Sequence, residues 1–179
     1  MSNITIRVIK EAQDLQMLVN LWDVLLEKSL DDNSMYLTHE WISTWWKYFG
    51  ARKELRLLLI EKESELIGII PLIRNEYRIT FIKLYALESV GRTSCNYVGL
   101  ILPEHREEAV QALLDYIKEH LLKNGVILRL SLIPEDSQFL NILRNNFGAF
   151  SKELVFKERV KTLAPILYSR QRGMSIFAQ

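Results

Sequence analysis

The chain has 179 residues, of which 49% are apolar and 25% charged, and 23 basic against 22 acidic side chains leave a formal net charge of +1. That balance suits one globular domain with a real core, and it excludes a polyelectrolyte drawn to nucleic acid or to an acidic membrane surface. The lone Cys95 rules out an intrachain disulfide framework and a thiolate-rich zinc site, and His39, His105 and His120 form no ligand pair at metal-binding spacing, so no metal is expected.

Residues 4–9 alternate apolar and polar, which reads as a short strand. From Glu11 the period changes: Leu15, Leu18, Trp22, Leu25 and Leu26 fall on one helical face, predicting a helix over 12–29. Asp31-Asp32-Asn33-Ser34 makes a polar turn. Thr38 is then a suitable helix cap, with Glu40 in the first turn, where the helix dipole favours a negative charge. The helix that follows carries Trp41, Ile42, Trp45, Trp46, Tyr48 and Phe49, and Gly50 stops it.

Apolar runs over 55–61 and 66–72, joined by Lys62-Glu63-Ser64, predict a hairpin of central strands covered on both faces. Pro71 cannot donate a ladder hydrogen bond, so a bulge or an edge is expected there. Residues 79–87 and 97–102 read as further strands, separated by a polar loop over 88–96. Pro103 opens a helix with Glu104, Glu107 and Glu108 in its first turns and an apolar stripe of Val110, Leu113, Leu114, Ile117 and Leu121; Asn124-Gly125 ends it. A strand over 126–132 and a helix opened by Pro134-Glu135-Asp136 follow. A final strand is expected over 150–160, after which periodicity fades. The order β-α-α-β-β-β-β-α-β-α-β predicts a mixed α/β fold with helices on both faces of a mixed sheet.

Among candidate site residues, the tryptophan helix comes first. Trp41, Trp45 and Phe49 share one face, and both core packing and an acceptor cleft lined by Trp46 or Tyr48 are open to it. The loop holding Arg92, Thr93, Ser94, Cys95, Asn96 and Tyr97 joins two strands, a common position for binding groups and also for a solvated connection. Carboxylates are plentiful, but none pairs distinctively. Glu61, Glu63 and Glu65 read as hairpin-surface charges, while Glu88, following a strand, could face a cleft. No glycine-rich phosphate cradle occurs in the body of the chain. The helix after residue 102 begins with a proline, which offers no N–H, and carries three carboxylates, which would repel a phosphate. Arg170-Gln171-Arg172-Gly173-Met174-Ser175 is only a loose match to an acyl-CoA loop.

Four segments carry a resemblance. Trp41, Trp45, Trp46, Phe49 and Gly50 fit a W-x-x-x-W-W-x-x-F-G pattern, and Leu66-Ile67-Gly68-Ile69-Ile70-Pro71-Leu72 is similar to L-V-G-V-x-P-L. Asn96-Tyr97-Val98-Gly99-Leu100 is similar to D-Y-x-x-L, with Asn96 in place of the acid, and Leu132-Ile133-Pro134-Glu135-Asp136-Ser137 is similar to L-P-E-D-S. In this order they resemble the N-terminal GNAT-like half of the CelD/BcsL-type acetyltransferases. The resemblance implies a GNAT-like domain over 1–160, with 161–179 as a tail leading toward an absent second GNAT domain that would hold the acyl-CoA. It implies N- or O-acetyl transfer from acetyl-CoA as co-substrate, with no covalently bound cofactor, to a small-molecule or sugar acceptor such as a polysaccharide precursor. Acceptor-side candidates are then Trp46, Arg92, Asn96 and Tyr97, with the catalytic residues left open. The alternative is a degenerate, non-catalytic GNAT module that packs against or binds a partner. The N-terminus shows no secretory pattern, and no window approaches the roughly 18 to 20 apolar residues that span a bilayer, so a cytoplasmic setting is expected.

Overall fold

The structure is a computed structural model that describes residues 3–29, 34–91, 99–121, 126–130 and 138–146, all within one compact unit, Met1–Ala149. Its centre is a six-stranded mixed sheet in the order β1-β2-β3-β4-β6, with a short β5 also paired to β3. The strands are β1 (Ile4–Ile9), β2 (Glu54–Lys62), β3 (Glu65–Ile79), β4 (Ile82–Ser89), β5 (Leu100–Ile101) and β6 (Val126–Arg129). All pairings are antiparallel except β4 with β6, which is parallel and runs from Tyr85 opposite Val126 to Glu88 opposite Arg129.

Consecutive residues of a strand point to opposite faces. Leu57, Leu58, Leu59 and Ile60 are all buried, so both faces of β2 are covered. Helix α1 (Val19–Ser29) packs on β3 and β5, while α3 (Arg106–Tyr116) packs on β1 and β2. The expected mixed α/β architecture, helices on both sides of the sheet, is therefore the one observed.

The helix read over 12–29 begins as a 3-10 segment, Ala12–Leu18, and becomes α-helical only from Val19. Trp22 anchors it, fully buried, with its indole Nε1 donating to the Leu37 carbonyl at 2.7 Å and its ring edge-on to His39. Helix α2 (His39–Phe49) starts as its cap predicts: the Thr38 hydroxyl accepts from the Trp41 N–H at 3.2 Å. Gly50 caps its C-terminal end, its N–H bonding the Trp46 carbonyl at 2.8 Å, and only glycine fits there, since a Cβ would meet that carbonyl at 2.5 Å and the Trp46 ring at 2.7 Å. The buried side of α2 is made by His39 and Ile42. The Trp41–Trp45–Phe49 face does not lie in the core: Phe49 is 61% exposed, and its ring meets that of Trp45 at 5.7 Å near the surface.

The β2–β3 hairpin turns at Glu63 and Ser64, which both have positive φ (49° and 74°). Strand β3 continues to Ile79, beyond the expected hairpin. The charges of Arg74, Glu76 and Arg78 disguised this extension, and Thr80 (φ 53°) and Phe81 form the turn inside the segment expected as strand over 79–87. Pro103–His105 forms a 3-10 turn into α3, and a π-helical turn, Ile117–Leu121, follows α3. Helix α4 spans Gln138–Asn146. The expected strand over 150–160 and the tail over 161–179 lie outside the described residues.

Candidate functional site

The site begins with a break in the sheet. Ser89 stands opposite Leu72, and Leu100 stands opposite Ile69, so three steps along β3 match eleven along its neighbour. Strands β4 and β5 thus occupy one lane along β3, with eight more residues between them than the lane requires. Pro71 explains its position. The Val90 N–H donates to the Pro71 carbonyl at 3.1 Å, which would be half of a reciprocal antiparallel pair. Proline lacks the returning donor, so leaving the ladder here costs one hydrogen bond less than anywhere else along β3. The irregularity expected from Pro71 therefore falls on the strand beside it. The lane resumes at Gly99, where a Cβ would lie 2.3 Å from the Ile69 carbonyl, so only glycine permits the approach. The Leu102 N–H then bonds the Ile67 carbonyl at 2.9 Å and fixes the entry to α3.

At this break a carboxylate is buried. Glu88 is only 3% exposed and lies within β4, not after it. Asn75 Nδ2 donates to its Oε2 at 2.6 Å, and the Tyr77 hydroxyl donates to its Oε1 at 2.8 Å. Both donors come from β3, two residues apart on one face of the sheet. Lys53 Nζ holds the Asn75 carbonyl oxygen at 3.3 Å, which leaves the amide group to point its N–H at Glu88. Across the parallel pairing, Arg129 brings a guanidinium to 3.7 Å from Oε1. Burying an ionised carboxyl is costly unless it is paired and hydrogen-bonded, and this cluster supplies both. Chemically it is a carboxyl group fixed in orientation beside an interrupted lane. Next to it, on the opposite face, the Ser89 Oγ is buried with no hydrogen-bond partner among the described residues.

The start of α3 carries three carboxylates, Glu104, Glu107 and Glu108, against the cations Arg106 and Lys62. The Glu108 carboxylate accepts from Lys62 Nζ at 2.6 Å and contacts His105 Nδ1. The Lys62 hydrogen bond, aided by His105, holds that carboxyl below the usual carboxylate range. Glu104 and Glu107 in the same turns and the missing N–H on Pro103 both disfavour a diphosphate at this turn. Among the described residues there is no cluster of three or more His, Cys, Asp or Glu arranged to hold a metal, and no helix is long and apolar enough to cross a membrane.

Of the residues singled out from sequence, Trp46 is half-buried and borders a groove of about 290 Å3 with Ala12, Leu15, Gln16 and Ser43. None of these belongs to the Glu88 cluster. Arg92, Asn96 and Tyr97 lie outside the described residues. Sequence reasoning reached Glu88 but missed Lys53, Asn75, Tyr77 and Arg129. The alternation Ile73, Asn75, Tyr77 was a readable sign of two polar groups on one face of a strand. Their convergence on Glu88 is a matter of register, which one strand's sequence does not carry.

No family model and no curated protein matches the chain. Among solved structures it is similar to an aminoglycoside N-acetyltransferase in complex with CoA, at 13% identity and a TM-score of 0.48, covering 90% of this chain and 94% of that one. It is similar to a ribosomal-protein-alanine N-acetyltransferase from Brucella melitensis biovar Abortus 2308, at 13% identity and a TM-score of 0.45, covering 89% and 99%. A GCN5-related N-acetyltransferase from Ralstonia eutropha JMP134 is similar at 13% identity and a TM-score of 0.47, covering 90% and 99%.

Proposed function

We propose that this chain is an acyl-CoA-dependent acyltransferase domain of the GNAT type that supplies the acceptor side of the reaction. The acceptor would be an amine or hydroxyl, on a sugar or polysaccharide precursor as the CelD/BcsL resemblance implies. The observation that carries the reading is Glu88, a buried carboxylate held by Asn75 and Tyr77 where the β4 lane breaks. Transfer requires the acceptor's N–H or O–H to lose its proton as its lone pair attacks a thioester carbonyl. A positioned carboxylate within hydrogen-bond reach takes that proton, a contribution of about 10²- to 10⁴-fold in rate. The two β3 donors fix the carboxylate's orientation before the acceptor arrives, so little reorganisation is left to the reaction.

The acidic start of α3 favours placing the CoA diphosphate elsewhere, on a second GNAT domain following a first domain over 1–160. The same feature favours a second reading, a degenerate module that binds or packs without catalysing. Two measurements on the full chain separate them. Thiol release from acetyl-CoA across a panel of amine and sugar acceptors should rise above background with at least one acceptor, but only at high acetyl-CoA and without saturating in it, because this chain holds the acceptor and not the diphosphate. Calorimetric titration with CoA should show at most weak binding. A flat thiol baseline across the panel refutes catalysis by this chain alone, and tight CoA binding by the chain refutes the reading of the α3 start.

A further inference from the structure

The face of the sheet opposite Glu88 carries a second, unrelated concentration of charge. Arg74 and Leu87 alternate with Asn75 and Glu88 along their strands, so they point away from the Glu88 cluster. With Arg56 and Lys10 they line a groove of about 370 Å3, within the roughly 300–1,000 Å3 of small-molecule sites. Val8, Leu87 and Val126 give it an apolar floor, and Tyr116 and His120 wall it from the end of α3 and the π-helical turn.

Its cations exceed its anions. Glu54 alone bridges the two guanidinium groups, accepting from Arg56 at 2.6 Å and from Arg74 at 3.0 Å. Lys10 makes no ion pair or hydrogen bond among the described residues. Three cations against one carboxylate leave an excess of two positive charges. The donors are also held in place. The Arg74 guanidinium stacks 3.9 Å from the centre of the Tyr85 ring, and Arg56 is tied to the Leu55 carbonyl at 3.1 Å. Arg74 binds Glu54 through one amino group, leaving its Nε–H and other amino group without an acceptor among the described residues. Burial pushes the Tyr116 phenol up, with Arg56 opposing, so its hydroxyl stays a donor at neutral pH.

We propose that this groove is a binding site for a small phosphate monoester, its dianion held by Arg74, Arg56 and Lys10 and its apolar body lying on Val8, Leu87 and Val126. Two excess charges match a dianion, and a planar guanidinium presents paired donors to a phosphate. The site stands on the opposite face from Glu88 and does not depend on the acyltransferase reading.

The test is calorimetric titration of the full chain with phenyl phosphate, inorganic phosphate and phenol, at constant ionic strength. Phenyl phosphate should bind saturably, inorganic phosphate several-fold more weakly, and phenol not at all. Lys10→Gln, which removes an exposed side chain and leaves the fold intact, should weaken phenyl phosphate binding about threefold, and Arg74→Met by about tenfold or more. Lys83→Gln, on the distant β3–β4 hairpin, should bind as the parent does. Absence of saturation, inorganic phosphate binding as tightly as phenyl phosphate, or equal weakening by Lys83→Gln would each overturn the proposal.

Discussion

Replacing Glu88 by glutamine keeps the shape of the side chain and removes its charge, so stability and proton transfer should respond differently. In the parent, the carboxylate accepts from Asn75 at 2.6 Å and from Tyr77 at 2.8 Å. Glutamine has one acceptor oxygen, which keeps the Asn75 bond, while its NH2 donates to the Tyr77 hydroxyl oxygen once that hydroxyl turns; with bonds to a charged group worth about 1.5–3 kcal/mol and neutral ones about 0.5–1.5 kcal/mol, the two exchanges cost roughly 2 kcal/mol together. Against this, folding no longer removes an ionised group from water, a relief of comparable or larger size. The two offset, and Glu88→Gln should melt within about 4 °C of the parent, about 1 kcal/mol for a domain of this size. Glu88→Leu takes away the acceptor that both donors use. Tyr77 is 37% exposed and can turn to water, so the penalty falls mainly on the half-buried Asn75 amide, about 2 kcal/mol. Thermal melts of the three proteins give the stability order, and thiol release from acetyl-CoA with an active acceptor gives the rate. Glu88→Gln should lose about 10²-fold or more in rate while keeping the fold. A Glu88→Gln protein that retains the parent rate within a few-fold refutes the proton-acceptor role. One that unfolds as readily as Glu88→Leu refutes the balance drawn from the cluster.

Three further outcomes are expected. Glu63 and Ser64 both sit at positive φ in a two-residue turn, a geometry that suits Asn-Gly, so Glu63→Asn with Ser64→Gly should stabilise the chain by about 1–2 kcal/mol, read as a higher urea midpoint; a lower midpoint contradicts this. Trp22→Phe removes the 2.7 Å bond to the Leu37 carbonyl inside the core and should cost about 2–3 kcal/mol in urea unfolding. Glu108 has its folded carboxyl lowered chiefly by Lys62, so the link stabilises the fold above the ordinary carboxylate range and is lost as pH falls through the folded value. Glu108→Gln should therefore melt below the parent at pH 7, and the offset should shrink as pH falls below the ordinary glutamate value (about 4.3) and vanish once the lowered folded carboxyl is protonated as well; an offset that does not shrink in acid contradicts the assignment.

Much of the fold was legible because local rules sufficed. Thr38 caps α2 through its hydroxyl and Gly50 through its N–H, and the apolar runs over 55–61 and 66–72, bounded by charge and a short connection, read as a hairpin of covered strands. The irregularity at Pro71 was also legible, but not its location in the neighbouring lane, because a missing N–H acts on whichever strand lies beside it. The aromatic stripe of α2 misled for a different reason. Periodicity shows that Trp41, Trp45 and Phe49 share a face, but which face turns inward is decided by His39 and Ile42 docking under Trp22 and Leu15. His39 Nε2 lies 2.8 Å from the Leu15 carbonyl, a contact between segments far apart in sequence. The candidate site was half legible: Glu88 stood out as an acid at a strand end, while Asn75, Tyr77 and Arg129 reach it only through the pairing of three strands.

The interruption between Val90 and Gly99 separates length from alignment. Val90 is tied to Pro71, Gly99 nests against Ile69, and Leu102 is tied to Ile67, so both ends of the detour are moored to the same uninterrupted strand. The register of β5 and the entry to α3 are therefore set by β3 itself, and not by how much chain joins Val90 to Gly99.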